Sequence, residues 1–158
     1  MDECVATRGQ MMSGNGARST AEVAADARAI VAREIAHRGG QSVEARDGRR
    51  WELRGTGPVG RFRVRVVSRR SGDWQSSIRE GDGAGDPERH WVFVDLSGPP
   101  RFWILPEPEV VQGIRDRHRE YLARNDGRRV QNDASLHCKI TTIDVAHGAE
   151  RWERLGLA

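Results

Sequence analysis

From Arg61 to Arg69 the chain reads RFRVRVVSR, and this alternation leaves the backbone little choice. Side chains switch faces at every residue along a β-strand, whereas neighbours on a helix face recur three to four residues apart. Only the strand period gathers Phe62, Val64 and Val66 on one face. The other face then carries Arg61, Arg63, Arg65 and Val67. An apolar row backed by a cationic row calls for a sheet with a core beneath one side. The cationic side meets water, acidic partners such as Glu52, or a negatively charged ligand. Arg69 and Arg70 at the strand end, leading into a glycine-containing loop, favour the ligand.

A chain of 158 residues supports one domain with a single core. Charged residues make up 31% and hydrophobic ones 37%, and no apolar run approaches the roughly 18 to 20 residues of a membrane helix. Residues 1–18 lack the apolar centre of a secretory signal and read as a disordered leader, with Met11 or Met12 as alternative starts to Met1. A cytoplasmic location without membrane association is expected. Two cysteines, Cys4 and Cys138, do not make a disulfide framework. Cys138 with His137 and His147 lacks the paired spacing of a zinc site, and a His137–Cys138 nucleophile pair would point to opposite strand faces. Lys139 is the only lysine among 26 basic residues, and the net charge is +3. Arginine forks suit bidentate contact with phosphate or carboxylate. Nucleic acid is therefore a compatible partner.

Local signals order the chain. Ser19 with Glu22 forms a capping-box pattern that opens a helix over about Thr20 to Arg38, and Gly39-Gly40 stops it. Asp47-Gly48 marks a hairpin between Gln41–Arg46 and Arg49–Arg54. The arginine-bearing strand follows as the third antiparallel strand. Ser71 to Arg89 reads as a long loop. His90–Leu96 and Arg101–Leu105 are strands, and Pro106 and Pro108 open a helix to about Arg124. Asp133, Ser135 and Asp144 read as turn or cap residues. A short apolar stretch, Ile140 to Val145, and an amphipathic segment with Ala149, Trp152, Leu155 and Leu157 close the chain. The expected class is α/β or α+β, a mixed sheet of about five strands flanked by helices, in one domain over 19–158.

This order, with the string RVVSRRSGDWQ (Arg65 to Gln75), resembles the PD-(D/E)XK, or restriction-endonuclease-like, superfamily, and in particular its small bacterial members. WVFVDLS (Trp91 to Ser97), FWILPEPEV (Phe102 to Val110) and the ending LHCKI…RWERLGL extend the resemblance over residues 20 to 158. It implies a centre made of an Asp at a strand end, then an acid or Gln two residues before a Lys, the carboxylates holding a divalent ion such as magnesium. Mapped residue by residue, Glu52 stands at the Asp, Arg65 at the acid or Gln, Val67 at the Lys and Ser68 at the following Thr. A carboxylate replaced by a cation repels a divalent ion, and valine offers no proton. The resemblance therefore implies a nuclease-like fold in which metal-dependent cleavage is lost, with no cofactor.

Glu52 and Arg65 are the candidates for any remaining catalysis. Arg61, Arg63, Arg65, Arg69, Arg70, Ser68, Trp74 and Gln75 are the candidates for anion binding. Trp74 suits base stacking or anchoring of the long loop, while Trp51, Trp91, Trp103 and Trp152 read as core or sheet-face residues. The first functional expectation is a nucleic-acid-binding protein. A small-molecule enzyme gripping an anionic substrate is the alternative, with Glu52 as general acid or base. A magnesium-dependent nuclease rearranged around Glu52 and Glu22 or Asp26 is the third. Nucleic acid or a small anionic ligand is the expected partner, and a homodimer stays open.

Overall fold

At Ser19 the hydroxyl accepts the backbone N–H of Glu22 while the Glu22 carboxylate accepts that of Ser19. This reciprocal cap starts α1 (Thr20–His37), which buries Ala27, Val31 and Ile35. The computed structural model describes residues 17–128 and 136–158. The expected leader, apart from its last two residues, lies outside them, as do Asp133 and Ser135.

After α1 come β1 (Gln41–Asp47) and β2 (Arg50–Thr56), joined by the loop Gly48-Arg49, one residue later than the expected Asp47-Gly48, because Asp47 pairs with Arg50 and Gly48 takes the positive φ, 60°. β3 (Arg61–Arg69) follows as the third antiparallel strand. Beyond it, β5 (Arg89–Asp95) pairs with β3 in parallel and β6 (Arg101–Pro106) with β5 antiparallel. The five-stranded order is β1-β2-β3-β5-β6. This is the expected mixed sheet, in an α+β chain. The segment from Ser71 to Arg89 is more than the expected loop. It holds β4 (Trp74–Ser77) and a 3₁₀ turn, Ile78–Asp82. β4 pairs with β7 (His137–Ile140), more than 60 residues on, to make a second small sheet. Between them in sequence lies α2 (Glu107–Arg124), with Pro106 at its N-cap. The expected apolar stretch after Ile140 is α3 (Thr142–Val145), opened by a Thr141–Asp144 capping box.

The strand period divides the core in two. On one side of the sheet Leu53, Phe62, Val64, Val92 and Ile104 pack with Val31 and Ile35 of α1 and with Trp152 and Leu155 near the C-terminus. On the other side Trp91, Phe93, Trp103 and Leu105 pack with Val110 and Ile114 of α2 and with Trp74 and Ile140 of the small sheet. Gly55 lies opposite Phe62 in the β2–β3 register. A Cβ at Gly55 would come within 2.4 Å of the Phe62 ring and 2.3 Å of the Gln41 carbonyl oxygen. The ring lies over bare backbone there. No helix among the described residues is long and apolar enough to cross a membrane.

Candidate functional site

The β2–β3 ladder runs from Thr56 opposite Arg61 to Leu53 opposite Val64, and stops. β2 stays with β1, and β3 goes on with β5 alone. The sheet therefore opens between Arg50–Glu52 and Arg65–Ser68. Alternation aims Glu52, Arg63 and Arg65 to the α2 side, because Leu53 and Val64 are committed to the α1 side.

Glu52 is buried, 2% exposed, and three guanidiniums saturate it. Arg54 donates at 2.5 Å, Arg63 at 3.1 and 3.2 Å, and Arg89 at 3.1 Å. Burial pushes the Glu52 carboxyl up. The hydrogen bonds from Arg54 and Arg63 and the charges of Arg63 and Arg89 outweigh it and hold the group below the ordinary glutamate range. Arg63 also reaches Asp86 at 2.7 Å. Arg89 pairs with Asp47 and, at 3.4 Å, with the buried Glu107. Glu107 in turn accepts the Trp91 indole N–H at 3.0 Å and the Asp86 backbone N–H at 2.8 Å.

Arg65 belongs to a second set. Its guanidinium lies 4.2 Å from the Trp91 ring centre and meets Glu80 through two contacts, at 3.2 and 3.3 Å. Burial lowers the Arg65 pKa, and the Glu80 carboxylate works against that shift. Burial raises Glu80, but Arg65 and Arg50 more than compensate, so it stays below its usual range. Arg50 pairs with the same Glu80. Five carboxylates (Asp47, Glu52, Glu80, Asp86 and Glu107) thus face five guanidiniums (Arg50, Arg54, Arg63, Arg65 and Arg89). Arg63 and Arg65 of the cationic row are neutralised by acids from the β1–β2 hairpin and the segment before β5, whereas Arg61 has no ion pair among the described residues.

Two cavities flank Arg50, Arg65 and Glu80. One, of about 90 Å³, is lined by Asp47, Trp51, Glu52, Arg89 and Glu107 with those three. The other, of about 370 Å³, adds Thr20, Ser68, Gln75 and Ser76. A divalent ion does not fit beside Glu52. Both its oxygens are taken by guanidiniums, and each like unit charge at about 4 Å opposes a cation by roughly 4 kcal/mol at an effective dielectric of 20. Among the described residues no three His, Cys, Asp or Glu side chains are grouped to hold a metal. α1 contributes Thr20, Val23 and Ala24 to the larger cavity but neither Glu22 nor Asp26. Glu22 caps α1 and Asp26 pairs with Arg18, so the rearranged carboxylate centre is not brought together.

The remaining expected residues separate. Arg61 is exposed and lines a broad groove with Arg54, Arg63, Glu88 and His90. Arg69 donates to Asp95 at 2.8 Å and Arg70 is exposed. Ser68 and Gln75 line the 370 Å³ cavity. Trp74 is fully buried against Phe93 and Trp103, and its indole N–H donates to the Val94 carbonyl at 3.0 Å. It anchors β4 to the core, and no face is open for a base. The exposed indole is Trp51, at 40%. Sequence reasoning missed Arg89, Glu80, Asp86 and Glu107. Only Glu107 had a local signal, an acid in the first turn of a proline-opened helix.

No family model, no curated protein and no solved structure matches the chain.

Proposed function

We propose that this chain is a nucleic-acid-binding protein on a PD-(D/E)XK-like sheet, in which a guanidinium–carboxylate network has taken the place of the metal-dependent cleavage centre. One observation carries the reading: Glu52, at the position the resemblance assigns to a metal-binding Asp, is saturated by Arg54, Arg63 and Arg89. Around that neutral centre the arginines stay positive where they meet solvent. Arg50 and Arg54 are about half exposed at their side chains, and Arg61 has no ion-pair partner among the described residues. These rim groups suit phosphate contacts, which position a strand without reading its sequence.

Anisotropy of a labelled oligonucleotide over a salt series tests this. The expected result is affinity that falls steeply with salt as counterions are released. Arg54→Ala and Arg61→Ala should weaken binding and each lower the salt slope by about one. Magnesium or manganese should produce no cutting. Absence of salt-dependent binding, or metal-dependent hydrolysis lost in Glu52→Gln, would overturn the reading.

A second reading, an enzyme or receptor for a small anionic molecule, is favoured by the 370 Å³ cavity, where hydroxyls of Thr20, Ser68 and Ser76 stand with Arg50 and Arg65. Pyrophosphate titrated by calorimetry separates the two. Binding lost in Ser68→Val, with no oligonucleotide affinity, supports the small ligand.

A further inference from the structure

The five tryptophans differ sharply in exposure. Trp74, Trp91, Trp103 and Trp152 are at most 6% exposed, and Trp51 is 40% exposed. Trp51 belongs to neither core cluster, and the contacts made by its ring are with the guanidiniums of Arg46 and Arg28. It stands next to the β1–β2 turn, whose sequence is Arg46-Asp47-Gly48-Arg49-Arg50-Trp51. Arg46 is its cross-strand partner, with the guanidinium 4.4 Å from the ring centre. Arg28 of α1 lies 5.5 Å from the same ring and is tied to Glu44 at 2.6 Å.

The charge around this indole is of a different kind from that in the sheet opening. Asp47, the one acid of the turn, is engaged by Arg89. Arg46 has no carboxylate partner among the described residues and instead donates to the Arg49 carbonyl at 3.2 Å. Arg49 is exposed and has no ion pair among them. Arg50, next in the chain, lines both cavities of the opening. An exposed indole, two uncompensated guanidiniums and a third leading to the opening therefore share one hairpin tip.

We infer that this tip is a stacking platform for single-stranded nucleic acid, with Trp51 as the ring that receives a base and Arg46 and Arg49 as its phosphate contacts. Every base has a π-face, so such stacking tolerates sequence. A duplex keeps its base faces inside the stack, so the platform selects unpaired strands. An exposed guanidinium–indole contact is weaker than base–indole stacking, and a base can replace Arg46 on the ring. The inference rests on the nucleic-acid reading above and deepens it.

Intrinsic fluorescence tests it, because four indoles are buried and an added strand reaches the fifth. A 15-residue oligothymidylate should quench the emission of the parent chain, and Trp51→Ala should abolish that quenching and weaken binding by about tenfold or more. Trp51→Phe, which keeps a ring, should recover part of the affinity. Heparin, a polyanion without bases, should bind without comparable quenching. If Trp51→Ala and Trp51→Phe bind the oligonucleotide as tightly as the parent, with the same salt slope, the platform is refuted and the nucleic-acid reading stands. If the parent binds no oligonucleotide even at low salt, both are refuted.

Discussion

Arg69 lies with its guanidinium 3.8 Å from the centre of the Trp74 indole while donating to Asp95 at 2.8 Å. Arg69 and Asp95 are register partners at the end of the parallel β3–β5 pair. The contact therefore clamps the last rung of the central ladder onto the ring that anchors β4. Asp95 is 2% exposed and also accepts from Arg101 at 2.7 Å and from the Ser97 backbone at 2.9 Å. Removing one partner of a buried pair leaves the other charge uncompensated. Asp95→Ala should cost about 3–5 kcal/mol, measured by urea denaturation, whereas Asp95→Asn should cost less because it keeps an acceptor for Ser97 N–H.

Acid should unfold the protein over a definite window. Asp95 is raised by burial, but its bonds from Ser97, Arg69 and Arg101 carry it far below the ordinary aspartate value. Glu52 and Glu80 are lowered as well. In the unfolded chain these groups titrate near 4, so below that pH the unfolded state holds more protons than the native one. Their contribution is complete above about pH 5 and drains away as pH falls through 4 and lower. The thermal midpoint should drop steeply below pH 4, and Asp95→Asn should flatten that drop.

A methyl group on Gly55 should be poorly tolerated. The Phe62 ring and the Gln41 carbonyl occupy the volume it would need, and overpacking of this kind typically costs 1–3 kcal/mol. Gly55→Ala should lower the unfolding free energy by about that amount, measured by urea denaturation. Gly48→Ala, with nothing within 4 Å of the added carbon, should be destabilising only through its positive φ.

Glu80 competes with any phosphate for Arg50 and Arg65. Glu80→Gln releases both guanidiniums, one of them half exposed. Affinity for an oligonucleotide should rise about fivefold, the equivalent of about 1 kcal/mol for a partly exposed ion pair. Anisotropy at one fixed salt concentration measures it.

What could be read from the chain was what its local chemistry dictates. The Ser19–Glu22 cap needs only neighbours within a few residues and stands as expected, while the Asp47-Gly48 signal marked a hairpin whose loop falls one residue later, at Gly48-Arg49. The arginine face of β3 was equally legible, since alternation is a property of the strand alone. Its neutralisation was not. Asp86 meets Arg63 from 23 residues away and Glu80 meets Arg65 from 15, distances at which no periodicity links an acid to its base. β4 escaped notice for the same reason, being four residues long with its partner beyond α2. Trp74 takes the loop-anchoring role that stood beside base stacking, and Trp51, expected in the core or on a sheet face, is 40% exposed. Both are flanked by polar residues in sequence, and the long-range β4–β7 pairing helps to cover Trp74.

The parallel union of β3 with β5 has a consequence for the order in which charge is matched during synthesis. A meander of three adjacent strands can zip as soon as it leaves the ribosome, and Glu52 is then on hand for Arg63. Arg65 must wait. Glu80, the acid that meets it, travels on the same stretch of chain that carries β5 into place, so closure of the central ladder and quenching of that guanidinium arrive as one event. A truncated or half-made polypeptide leaves Arg65 bare to every polyanion nearby, and in the finished molecule Glu80 covers it.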